Sequence, residues 1–285
     1  MTKNRFFTIF CFLLAFSFFS CKTNSNLVNQ NQDLLDISEL CPENPEWQNL
    51  IIDEKENSDF QHTGFYISKL NVEWYCFKIN LDAKNLQLIY EPMSKEGKTY
   101  RLKTFSTQNN AIAAINTQPF KKKMGKSFPI NCLKADGKII FPVNSRYSAL
   151  AFNFNPLRAY VIKNQTEEEI SNYDFVTGGY FTIVKDGEIL PYKRIRAARS
   201  AAATSNQGSF LYFFATCGKN FTGSNSGLTY EECALILKKL GADQALQFDG
   251  GHSTGLNIQG QDIIRPNFQR KVPSLMAFKF SDLSK

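Results

Sequence analysis

The chain is 285 residues long and carries 33 Lys and Arg against 26 Asp and Glu, a formal net charge of +7 at pH 7. This length is ample for a sizeable core, in one large domain or two small ones. The basic excess suits an anionic ligand or surface but is too diffuse to argue for nucleic acid: Lys121-Lys122-Lys123 is the one tight run, no nucleic-acid module accompanies it, and a solvated loop accounts for it.

At the N-terminus, Lys3 and Arg5 precede an apolar stretch, Phe6 to Phe19, that is too short to span a bilayer comfortably, and Ser20-Cys21 follows. Residues 1–20 therefore read as a signal peptide, and an exported location in a bacterial cell envelope is expected. Ser20-Cys21 resembles a loose lipobox, with phenylalanine where leucine is usual. By that resemblance Cys21 becomes the lipidated first residue of a mature lipoprotein, held at a membrane surface by its acyl chains. Plain secretion with cleavage nearby, and an uncleaved anchor, are the alternatives. Residues 21–60 are polar, with little periodicity outside Trp47 to Ile52, and read as a tether and lead-in to a single catalytic-type domain over residues 61–285.

From Gly64 onwards short strand-like segments dominate. Trp74 to Asn80 and Leu86 to Tyr90 have the alternation or β-rich composition of strands. Thr104 to Asn110 can open a short helix before the apolar run Ala111 to Ile115. Ser148 to Phe152, Ala159 to Ile162, Phe210 to Ala215 and Ser274 to Phe280 extend the strand pattern. Asp136-Gly137 and Asp186-Gly187 each separate two apolar runs and read as hairpin turns. Leu228 to Gly241 reads as a capped helix: Thr229 is the N-cap with Glu232 three residues on, Leu235, Ile236 and Leu240 form an apolar stripe, and Gly241 takes the position just past the end. Many strands and few helices point to a mixed α+β fold, a strand-rich sheet core with a few flanking helices.

The segment best suited to chemistry is Asp249-Gly250-Gly251-His252-Ser253-Thr254, which follows the apolar run Ala245 to Phe248. It sets a carboxylate at a strand terminus, beside glycines that permit close approach of backbone and ligand, and then three side chains able to hydrogen-bond. An ordinary hairpin turn has the same composition, so a structural role stands beside the functional one. His62 and His252 are the only histidines and no His-Glu-x-x-His helix exists, which disfavours a histidine-rich zinc site. There is no Gly-x-Ser-x-Gly elbow, and His252 and Ser253, being adjacent, point to opposite faces of an extended backbone, which disfavours a serine-hydrolase triad. Cys11 lies in the signal segment and Cys21 is the lipidation candidate. Cys41, Cys76, Cys132, Cys217 and Cys233 show no Cys-x-x-Cys spacing and leave room for one or two disulfides in an oxidising compartment.

Taken in order, Ala113-Ala114-Ile115-Asn116, a Pro-containing loop, the Asp136-Gly137 hairpin, Thr177-Gly178-Gly179, Arg199-Ser200-Ala201, Gly227-Leu228-Thr229 and Asp249-Gly250-Gly251 resemble the phosphodiester glycosidase family over residues 70 to 280. The resemblance implies a hydrolase acting on a sugar 1-phosphodiester in a glycan. It implies that Asn116 faces the sugar or phosphate and that Gly178 and Gly179 form a second glycine turn. Arg199 would grip phosphate with its planar donor fork, and Asp249 would be the acid/base group or a cation ligand. Gly250, Gly251, Ser253 and Thr254 would line the substrate. His252, an imidazole of the kind that titrates near neutral pH, is the best second acid/base group, with Asp174 a weaker candidate, and Arg196 could substitute for Arg199. A divalent cation such as calcium is compatible with a carboxylate and backbone oxygens, although the usual acidic cluster is absent. The partners implied are a glycan or sugar-phosphate substrate and, through the lipid anchor, a membrane. Two departures stand out: Asn116-Thr117-Gln118-Pro119-Phe120 replaces the family's Asn-Gly-Gly-Phe-Phe, and His252 replaces a usual glycine. A non-catalytic surface lipoprotein of the same fold, binding glycans or host molecules, is the alternative.

Overall fold

The computed structural model describes residues 33–91, 97–192, 194–219 and 226–281. The signal segment, Cys21 and the tether up to residue 32 lie outside the described residues. All strand pairs among the described residues are antiparallel, in three main sheets and one small hairpin. The largest sheet has eight strands in the order Gln48–Ile52, Lys55–Ile67, Val72–Asn80, Phe210–Gly218, Arg199–Ser205, Gln244–Gln247, Thr182–Lys185 and Glu188–Ile189. A second has five, in the order Leu157–Ile162, Ala149–Phe154, Phe175–Gly178, Leu133–Ala135 and Lys138–Phe141. The third, also of five, runs Gln261–Ile264, Leu256–Ile258, Ala113–Asn116, Leu275–Phe280 and Leu86–Glu91. Strands Phe120–Lys123 and Lys126–Pro129 pair only with each other.

Alternation along the strands explains the layering. In Phe210–Gly218, Leu211, Phe213 and Ala215 enter a core shared by all three sheets, where they meet Phe152 and Phe175 of the second sheet and Ile115 and Phe278 of the third. Tyr212 and Phe214 face the other way, with Ala201, Ala203 and Trp74, and are covered by Ile236 and Leu237 of helix Tyr230–Lys239. Each such buried Ile or Leu contributes about 1.5–3 kcal/mol. Helices Leu102–Gln108 and Glu167–Ser171 cover the outer faces of the two smaller sheets through Phe105 and Ile170. The mixed α+β expectation is met.

The capped helix is as expected. Thr229 Oγ1 accepts from Glu232 N at 3.0 Å while Glu232 Oε2 accepts from Thr229 N at 2.9 Å. Both Asp-Gly turns close hairpins with two successive positive φ angles, 50° and 72° at Asp136 and Gly137 and 52° and 75° at Asp186 and Gly187, the twist that hairpins favour.

Two expectations are corrected. The domain begins upstream of residue 61: strands Gln48–Ile52 and Lys55–Ile67 form one edge of the eight-stranded sheet, and Trp74 Nε1 donates to Leu40 O at 2.7 Å to hold the preceding segment down. The polar composition that suggested a lead-in belongs to the outermost strand and its neighbour, with one face in solvent; of Lys55–Ile67 only Phe60, Thr63 and Ile67 are buried. Secondly, Cys41, Cys76, Cys132, Cys217 and Cys233 are all free and buried. Burial pushes each thiol up, Cys41 to about 11 and Cys233 to about 12, so they behave as small core hydrophobes.

Candidate active site

The site forms where strand Gln244–Gln247 runs out of its ladder. Ala203 pairs with Ala245 and Ala201 with Gln247, and Arg199 and Asp249 each lie two residues beyond the end of that ladder. Phe248 N donates to Ser200 O at 2.8 Å and Asp249 N to Thr117 O at 2.8 Å, so the carboxylate residue is tied to strands on both sides. Gly250 packs against the neighbouring backbone so closely that a Cβ would lie 2.7 Å from Ala198 O. Gly251 has φ +60° and donates its N–H to Ala198 O at 2.8 Å, a conformation that disfavours any side chain.

Asn116 holds this turn from beneath. Its Nδ2 donates to Asp249 O at 2.7 Å, and its Oδ1 accepts from Ser200 Oγ at 2.6 Å and from Gly255 N at 3.0 Å. The resemblance implied that Asn116 faces the sugar or phosphate; in the structure the residue is buried and its amide bonds run to Asp249, Ser200 and Gly255. The departure from the glycine-rich family pattern has a physical reason. Thr117 and Gln118 fold inward, Thr117 Oγ1 lying 2.6 Å from Ser274 Oγ and Gln118 Nε2 donating to Cys132 O at 2.9 Å, and both are buried.

Asp249 is 8% exposed, and its Oδ2 has no hydrogen-bond partner in the structure. Burial raises its carboxyl from the ordinary 3.8 to about 6, against the opposing pull of a hydrogen bond from Ser253, the Arg270 charge and the Gly250 N–H. Arg270 reaches the carboxylate through Ser253: its Nε donates to Ser253 Oγ at 2.7 Å, its N–H donates to His252 O at 2.9 Å, and its guanidinium lies 5.2 Å from the centre of the Phe120 ring. The Arg199 guanidinium lies 4.1 Å from the centre of the Tyr230 ring, anchored by bonds to Leu228 O at 3.2 Å and Ile195 O at 2.7 Å. Tyr230 and Tyr180 complete the wall. Burial pushes the Tyr180 hydroxyl up to about 12, with the Asp249 charge adding to the effect, and burial likewise raises Tyr230.

Gly178 and Gly179 are backbone residues of the wall. A Cβ at Gly178 would lie 2.6 Å from Asn131 Cβ, and one at Gly179 would lie 2.5 Å from Leu246 Cδ1. Their absence of side chains lets the segment press on the end of the Asp249 strand, where Tyr180 N donates to Gln247 O at 2.7 Å. His252 is exposed at the lip, whereas Ser253 and Thr254 are buried beneath it, the Thr254 hydroxyl without a partner. Two runner-up residues are committed elsewhere. Asp174 is exposed and accepts from Phe154 N at 2.7 Å, at the end of the neighbouring strand of the second sheet. Arg196 pairs with the fully buried carboxylate of Glu232 on the capped helix.

Arg270, Tyr180 and Tyr230 were not legible as site residues. Tyr180 directly follows Thr177-Gly178-Gly179 and Tyr230 directly follows the cap Thr229, so adjacency to those motifs was the available signal. Arg270 had none, since only the fold brings it to Ser253. Among the described residues no group of three or more His, Cys, Asp or Glu side chains is placed to hold a metal ion. A calcium ion at this turn would find the single carboxylate of Asp249, fewer acidic ligands than such ions usually take, so the residues present do not fit it.

A family model described as phosphodiester glycosidase matches residues 109–279. Among solved structures, a hypothetical protein from Synechocystis is similar with a TM-score of 0.63 at 16% identity, over 83% of this chain and 64% of that one. The catalytic domain of zebrafish N-acetylglucosamine-1-phosphodiester alpha-N-acetylglucosaminidase, auto-inhibited by its pro-peptide, gives a TM-score of 0.62 at 14% identity, over 82% of this chain and 87% of that one. A Burkholderia pseudomallei K96243 protein gives 0.53 at 14% identity, over 73% and 74%. At these identities the likeness is one of fold, and the chain spans just under two thirds of the Synechocystis protein. No curated protein sequence matches. The family match covers more than half of the chain and takes in the Asp249 turn, Asn116, the Thr177-Gly178-Gly179 wall, Arg199 and Arg270; the chain belongs to the phosphodiester glycosidase family.

Proposed function

We propose that the chain is an exported, lipid-anchored glycosidase that hydrolyses a sugar 1-phosphodiester in a glycan. The observation that carries this reading is the Asp249 carboxyl: buried, with one oxygen unbonded, raised to about 6, and within reach of the Arg270 charge. A general base works best when its pKa lies near the operating pH. Asp249 takes a proton from water as the water oxygen bonds to the anomeric carbon, and the carbon–oxygen bond to phosphate breaks with its electron pair going to the phosphate oxygen. The products are a free sugar and a phosphomonoester. Charge builds on the departing phosphate, and Arg199 and Arg270 are the groups able to offset it. Tyr180 lies near the carboxylate, the Tyr230 ring carries the Arg199 guanidinium, and His252, exposed beside the turn, is the candidate second acid/base group. The zebrafish relative's name, a sugar-1-phosphodiester glycosidase, supports the substrate class. Anchoring rests on the Ser20-Cys21 signal and carries over as part of the proposal.

The test is a panel of sugar 1-phosphodiesters incubated with the mature chain and with Asp249→Asn. Sugar release by the first and not the second supports the enzyme. Binding without turnover across the panel favours the non-catalytic surface lipoprotein.

A further inference from the structure

The hairpin Phe120–Lys123 and Lys126–Pro129 stands apart from the three main sheets. Met124 and Gly125 make its turn with φ of 50° and 76°, and Met124 at the tip is 92% exposed. Lys121, Lys122, Lys123 and Lys126 are all exposed, no acidic residue occurs between residues 120 and 129, and none of the four is in an ion pair among the described residues. Register sorts them by face. Lys121 pairs with Phe128, Lys122 with Ser127 and Lys123 with Lys126. Cross-strand partners share a face and neighbours alternate, so Lys121, Lys123 and Lys126 lie on one face and Lys122 on the other. Lys123 and Lys126 are directly opposite, a like-charge pairing that weakens a hairpin. A local arrangement that works against stability, with no compensating acid, is the kind of feature expected at a functional surface.

The root of this hairpin belongs to the site. Phe120, which the same alternation puts on the Lys122 face, lies under Arg270, which bonds Ser253 beside Asp249. Lys121 lines a cavity of about 480 Å³ that Tyr147 also lines, and the Tyr147 ring packs edge-on against Tyr180 with centroids 5.7 Å apart. Tyr180, which feels the Asp249 charge, is thus linked through the Tyr147 ring to the cavity that Lys121 lines.

We propose that the face of Lys121, Lys123 and Lys126 binds further phosphates of a polymeric substrate, so that the ligand is a polyanionic glycan with repeating sugar-phosphate units. This rests on the glycosidase reading above for the chemistry at Asp249. Alternate residues of a strand are about 7 Å apart, so successive ammonium groups can meet separate phosphates along an extended chain. The tip carries one apolar side chain, Met124, and no apolar face, which argues against insertion into a lipid layer.

The test measures binding in the Asp249→Asn background, so that turnover does not interfere. The probes are a synthetic hexamer of hexose 1-phosphate units, its single repeat as a methyl diester, a neutral hexose hexamer, and phosphatidylglycerol vesicles. The charged hexamer is expected to bind about tenfold more tightly than the single repeat at about 50 mM salt, with most of that gain lost by about 200 mM, as counterion release requires. Joint replacement Lys121→Gln, Lys123→Gln and Lys126→Gln removes the gain, and Lys122→Gln alone keeps it. The proposal is overturned if the triple variant keeps the gain, if Lys122→Gln loses as much, if the neutral hexamer binds as well, or if lysine-dependent binding occurs only to vesicles. Turnover of the single repeat by the chain with native Asp249 is scored separately: its absence, with the hexamer gain intact, sinks the glycosidase reading and leaves the hairpin site standing.

Discussion

Replacing Asp249 with Asn should make the folded protein less sensitive to rising pH. The Asp249 carboxyl titrates at about 6 in the fold against an ordinary value of 3.8, because burial disfavours its charged form. A raised folded value means that the native state holds the proton more tightly than the unfolded chain. The associated stability is fully present below 3.8 and is lost as pH rises through about 6. At about 1.4 kcal/mol per pH unit, the interval corresponds to ~3 kcal/mol. Asn stays neutral throughout and escapes that loss, although its amide NH2 replaces the unbonded Oδ2 in a buried position and costs about 1–3 kcal/mol at every pH. The difference in unfolding free energy between Asp249→Asn and the native chain should therefore shift by ~3 kcal/mol in favour of the variant between about pH 3 and about pH 8. In thermal terms this is about 6–12 °C for a domain of this size. Urea unfolding of both proteins at the two pH values measures it. A difference that stays constant across pH would refute the reasoning, whatever its absolute size.

Three further outcomes follow from the geometry. Arg270→Gln removes a charge that holds the Asp249 carboxyl down, so the ascending limb of the kcat/KM pH profile should move to higher pH; a limb that stays in place would separate Arg270 from Asp249. Gly250→Ala puts a Cβ 2.7 Å from Ala198 O, so the turn must shift and turnover should fall by about tenfold or more with the fold retained by circular dichroism, since small displacements of a catalytic group cost much rate. Thr229→Ala breaks the capping box and should cost about 1 kcal/mol in urea unfolding; no measurable loss would show that helix packing alone fixes the cap.

Local chemistry made much of the fold legible, and long-range contacts hid the rest. Asp136-Gly137 and Asp186-Gly187 could be read because a two-residue turn with positive φ is encoded where it occurs, and the Thr229 helix because cap, stripe and terminal glycine sit within a dozen residues of each other. Lys55–Ile67 could not, since its strand character comes from pairing with Gln48–Ile52 and Val72–Asn80 on its two sides, while ten of its thirteen residues are exposed or half-buried. The same division runs through the site. Asp249, Gly250 and Gly251 were legible as a turn after a strand. That Asn116 holds the turn, and that Arg270 arrives through Ser253, depends on residues 133 and 17 positions away respectively. Arg196 shows the converse: beside a motif arginine it looked interchangeable with Arg199, yet the buried Glu232 claims it.

The most direct measurement is the pH dependence of sugar release from a sugar 1-phosphodiester by the native chain and by Asp249→Asn. The account predicts release that rises through about pH 6, where the Asp249 carboxyl ionises, and falls by at least about a thousandfold in the variant. Release that persists in Asp249→Asn, or a profile flat through that range, would contradict it.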